Sequence, residues 1–174
     1  MRMGELPREL YKGFELVFSY DTFAYYEVRL RTGSHVMSAE FLRVPIPRMH
    51  KEFTSRLFEN YWADPHAWGV WDGEELLAVM EVTPEWSNRL RITNFCVREG
   101  FRRRGLGTML MTRAKELARA QGRRGIILET QSCNTGAIAF YQSQGLTLQG
   151  FDASAYSNQD IPNHEVRMEF GCPV

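Results

Sequence analysis

The stretch that decides the reading is Val97-Arg98-Glu99-Gly100-Phe101-Arg102-Arg103-Arg104-Gly105-Leu106-Gly107-Thr108-Met109-Leu110. The residues from Leu90 to Val97 lead into it with the pattern of a strand. Beyond it, Leu106, Met109, Leu110, Ala114, Leu117 and Ala118 recur on one face of a helix. A strand therefore passes through an Arg-rich and Gly-rich turn into an amphipathic helix. The first backbone N–H groups of a helix have no partner inside it. Gly105 and Gly107 carry no side chain, so a ligand can approach this backbone closely. The open N–H groups and the helix dipole favour an anion, and Arg102, Arg103 and Arg104 add positive charge. The prediction is a diphosphate-binding turn at the helix start.

Three phosphate motifs compete for this turn. Gly100 and Gly105 have the P-loop spacing, but Leu106-Gly107 stands where Lys and Ser/Thr are required. In the dinucleotide fingerprint, Leu110 would occupy the third glycine position. What remains is Arg-x-x-Gly-x-Gly, supplied by Arg102, Gly105 and Gly107. Taken alone, that pattern also reads as a glycine-containing turn with solvated arginines. A second segment lies downstream. Leu128-Glu129-Thr130-Gln131 closes a strand, Asn134 opens a short helix, and Ala137, Phe140-Tyr141 and Gly145-Leu146 follow. Together the two segments, spread over residues 90–150, resemble the GNAT superfamily of N-acetyltransferases. Leu-Glu-Thr-Gln at 128–131 and Gly150-Phe151-Asp152 are further similar to its streptothricin acetyltransferase branch.

The resemblance implies a fold and a set of roles. The fold is a mixed α/β one, with a central, mostly antiparallel sheet splayed at the acetyl-CoA site and helices on both faces. A single domain over residues 1–174 is expected, its motif-bearing core at about 66–170. Acetyl-CoA is the implied co-substrate. Its pantetheine arm would pair with the backbone of Phe95, Cys96 and Val97. Its pyrophosphate would take N–H bonds from Arg103, Arg104, Gly105, Leu106, Gly107 and Thr108, with the Arg102 to Arg104 side chains nearby. Asn134 would contact the arm, and the Tyr141 hydroxyl would protonate, or hydrogen-bond to, the leaving thiolate. Each residue also has a plainer reading: Cys96 as a small buried hydrophobe, Asn134 as a helix N-cap, Tyr141 as core.

The implied reaction is direct attack of a neutral amine on the acetyl carbonyl. A carboxylate is the usual base, and Glu81 and Glu129 are the candidates. The expected acceptor is the primary amine of a small molecule, with an aminated antibiotic such as a streptothricin among the candidates. One departure bears on that acceptor. The streptothricin branch tends to carry Glu-Asp in the strand before the loop, after an upstream Trp-Asn. Here Trp86-Ser87 and Thr93-Asn94 stand in those places. Transfer to a peptide N-terminus or lysine, and a non-catalytic acyl-CoA-binding module, remain as alternatives. Trp68, Trp71, Trp86 and Tyr156 are acceptor-cleft candidates that core packing explains equally well.

Composition narrows the rest. The chain has 174 residues, 44% hydrophobic and 24% charged, which is a globular composition. Lys+Arg and Asp+Glu are 21 each, so the basic excess of a general nucleic-acid binder is missing. The three cysteines and four histidines form no metal-ligand cluster, so no metal is expected. No apolar run suits a signal peptide or a membrane span, so a cytoplasmic protein with no membrane partner is expected. Strands at the chain end leave a homodimer open.

The first 60 residues carry no placeable motif. There the pattern predicts a hairpin, Glu15–Tyr20 and Tyr25–Arg31 around Asp21-Thr22. An irregular stretch from Ser34 to Pro47 follows, then an amphipathic helix over Arg48–Tyr61. Asp72-Gly73 predicts a tight turn between two further strands.

Overall fold

The computed structural model describes residues 1–174 as two compact units. The first comprises Met1–Ser19, Glu52–Leu128 and Gly171–Val174; the second comprises Tyr20–Lys51 and Glu129–Phe170. No helix is long and apolar enough to cross a membrane.

The first unit is built on three antiparallel strands, β4 (His66–Asp72), β5 (Glu75–Pro84) and β6 (Leu90–Val97). Asp72-Gly73 turns as predicted, with Gly73 at φ +58°. An unanticipated strand, β1 (Arg2–Leu6), pairs antiparallel with β4, from Arg2 opposite Trp71 to Leu6 opposite Ala67. Helix α1 (Arg8–Tyr11) is a single turn after it. Helix α2 (Leu106–Ala120) packs against β4, β5 and β6. It buries Leu106, Leu110, Met111, Ala114 and Ala118. Met111 thus takes the core place predicted for Met109, which is 36% exposed.

Strand β7 (Gly125–Gln131) adds to β6 in parallel, Leu90–Ile92 against Ile126–Leu128. Phe95–Val97 lie beyond that paired stretch. Gly125 is required where β7 meets β9 (Arg167–Pro173), because an added Cβ would sit 2.5 Å from the Cys172 carbonyl oxygen. The sheet is mostly antiparallel and mixed, as the resemblance implies. A second hydrophobic cluster joins Leu6, Leu16, Leu57, Phe58, Trp71 and Val79.

In the second unit, helix α3 (Thr135–Ser143) is followed by β8 (Thr147–Asp152), which neighbours β9. Two long strands replace the predictions for the early chain. Strand β2 (Glu15–Thr32) runs unbroken through Asp21-Thr22, so there is no hairpin turn there. The Asp21 carboxylate instead bonds Arg48 and His50 across to β3 (Met37–Arg56), at 2.9 and 3.0 Å. The residues predicted as a helix over Arg48–Tyr61 are mostly β3, and those predicted as irregular are largely β3 as well. Met49, Phe53, Leu57 and Phe58 fit a helical period, but the pairing partner β2 decides the outcome. Pro45 and Pro47 fit because β3 has β2 as its one sheet neighbour and so keeps an unpaired edge. Residues two apart direct their backbone N positions to the same side, so one edge accommodates both prolines.

Candidate functional site

The turn after β6 carries the features of an anion seat. Gly105, at φ +86°, precedes α2 in the left-handed region, and no side chain caps the helix. The first helical bond there is donated by the Met109 N–H to the Gly105 carbonyl, so the N–H groups before it point out of the helix start. Arg103 is also left-handed, at φ +61°, and exposed. Arg104 stacks on the Phe101 ring at 5.0 Å.

Arg102 has a different task. Its Nη2 donates to the Ser19 carbonyl at 2.6 Å and its Nε to the Val97 carbonyl at 3.2 Å. The guanidinium ties the turn to β6 and to Ser19. No sequence signal pointed to Ser19, whose contribution is a main-chain carbonyl. Cys96 is buried and its thiol lies 3.6 Å from the Val17 carbonyl. Burial pushes that thiol above its usual range, with Arg102 opposing, which suits the plain packing role.

Glu81 is fully buried. Its carboxylate accepts from the Phe58 N–H at 2.6 Å, the Thr93 hydroxyl at 2.7 Å and the Asn94 amide at 2.8 Å. Phe58 holds φ +60°, strained for a bulky residue, and the Glu81 bond fastens it there. The Thr93-Asn94 pair that departs from the streptothricin pattern is thus the donor set for Glu81. Asn94 stands opposite Glu81 in the strand register, a pairing that residue type alone does not reveal. A fully buried carboxylate held by three donors ties β5, β6 and Phe58 together.

In the second unit Asn134 caps α3, its Oδ1 accepting from the Ala137 N–H at 3.2 Å. Its amide nitrogen is not needed for that bond. Tyr141 is buried, with Phe140 and Phe170 around its ring. Burial raises its hydroxyl above the ordinary phenol range, so it stays protonated at neutral pH. Glu129 is exposed. It accepts from the Tyr156 hydroxyl at 3.4 Å and pairs loosely with Arg167 at 3.7 Å. Of the aromatic candidates, Trp68 and Trp71 are core, whereas Trp86 is 94% exposed and Tyr156 46%.

Sequence reasoning missed how β2 grips the segment between β7 and α3. The Tyr20 hydroxyl donates to Gln131 Oε1 at 2.7 Å and lies 3.4 Å from Cys133 Sγ. The Thr22 and Thr135 hydroxyls bond at 3.1 Å, and the Tyr26 N–H donates to the Ser132 carbonyl at 3.0 Å.

A mixed sheet leading through a glycine and arginine turn into an uncapped helix defines an α/β protein with open backbone N–H groups at a strand-to-helix junction. The family model for the acetyltransferase (GNAT) family matches residues 35–146, and the chain belongs to that family. A streptothricin acetyltransferase of Streptomyces lavendulae is 33% identical over 89 residues, 51% of this chain and 47% of that protein. One of Escherichia coli is 30% identical over 105 residues, 60% of each. The matched stretch thus spans about half to three fifths of these relatives. Two solved structures share the fold over 99% of this chain and 97% of theirs. One is a nourseothricin acetyltransferase, with TM-score 0.73 and 22% identity. The other, from Bacillus anthracis, is assigned to the streptothricin acetyltransferases and was solved with acetyl coenzyme A, with TM-score 0.76 and 21% identity. At such identities the likeness concerns the fold.

Proposed function

We propose that this protein transfers an acetyl group from acetyl-CoA to a primary amine of a small molecule. The observation that carries the reading is the uncapped start of α2 behind the left-handed Gly105, in a chain that belongs to the GNAT family. The pyrophosphate takes N–H bonds along residues 103–108, with Arg103 and Arg104 supplying charge while Arg102 braces the turn. The pantetheine arm pairs with Phe95, Cys96 and Val97, and the Asn134 amide nitrogen meets the same arm.

The amine attacks the acetyl carbonyl; a C–N bond forms and the C–S bond breaks. The thiolate takes its proton from the Tyr141 hydroxyl, which burial keeps protonated. The amine proton leaves through water to Glu129, the exposed member of the two carboxylate candidates. Glu81 holds β5, β6 and Phe58 in register. The names of the relatives suggest a streptothricin as the first acceptor to try.

The test is thiol release from acetyl-CoA across a panel of primary amines that includes streptothricin, with the products weighed by mass spectrometry. An acetylated amine supports the reading. Absence of CoA affinity by calorimetry overturns it.

A further inference from the structure

Residues 97–108 carry four arginines, Arg98, Arg102, Arg103 and Arg104, against one acid, Glu99. Two of the four are engaged within the fold. The Arg98 guanidinium pairs with Glu75 at 2.5 Å. That of Arg102 donates to the Val97 and Ser19 carbonyls. Arg103 and Arg104 differ from these. Both are exposed, and neither forms an ion pair with Glu99 or any other carboxylate. A chain with as many acids as bases thus leaves two neighbouring guanidiniums without an anion. Side by side, they repel each other.

Two further details hold this pair ready. Arg103 sits at φ +61°, a left-handed conformation that costs an arginine free energy but not a glycine. Strain of this kind persists at ligand clamps. Arg104 lies over the Phe101 ring, 5.0 Å from its centroid, and Arg98 lies 5.9 Å from the same ring. Phe101 is itself fixed, its N–H donating to the Arg98 carbonyl at 3.1 Å. The stack keeps the Arg104 guanidinium at a set place, so less freedom is lost when an anion arrives.

The charge of the carrier exceeds what the helix start can answer. Coenzyme A bears a diphosphate and, one ribose away, a 3′-phosphate. The open N–H groups at the start of α2 and a dipole of about half a unit charge answer the diphosphate. The 3′-phosphate needs full charges from side chains, and the arginine fork matches phosphate oxygens. We propose that Arg103 and Arg104 bind the 3′-phosphate, with Phe101 positioning Arg104, and so select CoA over 3′-dephospho-CoA. This rests on acetyl-CoA as the donor, the reading above.

Calorimetry with CoA and with 3′-dephospho-CoA tests the selection without an acceptor. The wild type should bind CoA about tenfold to a hundredfold more tightly, and the ratio should narrow as salt rises. Arg103→Gly and Arg104→Met should each shrink that ratio by about threefold or more. Arg103→Gly should melt no lower than the wild type, because glycine relieves the left-handed strain, so its lost selectivity is not unfolding. Phe101→Leu should shrink the ratio as well, and Phe101→Tyr should restore it. A wild-type ratio within about twofold overturns the proposal. So do arginine variants that weaken both ligands by the same factor, which assigns the two charges to the diphosphate alone. Binding of neither ligand overturns the donor reading and this proposal with it, whereas equal binding of both overturns the proposal alone.

Discussion

Tyr141 is the residue on which the proposed chemistry turns. Tyr141→Phe keeps the ring and its packing but removes the proton donor. The rate of CoA release is expected to fall by about 10² to 10⁴, with CoA affinity by calorimetry nearly unchanged. The hydroxyls of Tyr20 and Tyr141 also bear on stability at alkaline pH. Burial raises the hydroxyls of Tyr20 and Tyr141 above the usual phenol value of about 10. In such a case the unfolded chain ionises first. The stability these groups contribute is complete below about pH 10 and is lost as pH rises beyond it. Melting curves from pH 8 to 11 should show a steepening fall above pH 10, shallower in Tyr141→Phe. Glu81 belongs at this scale too. Glu81→Ala strands the Phe58 N–H, the Thr93 hydroxyl and the Asn94 amide, and leaves a left-handed phenylalanine unfastened. Urea unfolding should register a loss of about 3 kcal/mol or more.

At the level of elements, legibility followed local constraint. The strand–turn–helix at 90–120 could be read because Gly105 and the buried face of α2 need no distant partner to be recognised. Helix α3 was legible for the same reason, with its Asn134 cap and closing Gly145. Strands β2 and β3 were not. Their form depends on pairing with each other, and Met49, Phe53 and Leu57 satisfy a helical period as well as an extended one. The Asn134 cap was readable from residue type, whereas the partners of Glu81 required strand register. Two glycines give element-scale predictions. Gly125→Ala drives a Cβ against the Cys172 carbonyl and should cost about 1 to 3 kcal/mol in unfolding experiments. Gly105→Ala meets open space but forces alanine to φ +86°. It should cost about 1 kcal/mol and weaken CoA binding with the fold intact.

For the whole molecule, the expected signature is linkage between CoA and folding. A ligand that binds only the native chain adds about 2.7 kcal/mol at a hundredfold excess over Kd. The midpoint of thermal unfolding should therefore rise with CoA concentration, and less so at high salt, because a phosphate contact is screened there. A net charge of zero gives no long-range attraction for an anionic carrier, so the local arginines of the turn must supply it.

The hold of β2 on the segment after β7 has a consequence for biosynthesis. Tyr20 and Gln131 are 111 positions apart, and Thr22 and Thr135 are 113 apart. Closing such spans is slow compared with forming a hairpin or a helix turn. A ribosome releases Tyr20 long before it has made Gln131. The Tyr20–Thr22 stretch of the nascent ribbon therefore waits for these partners through most of translation, and a chain stalled short of residue 131 exposes it to proteases.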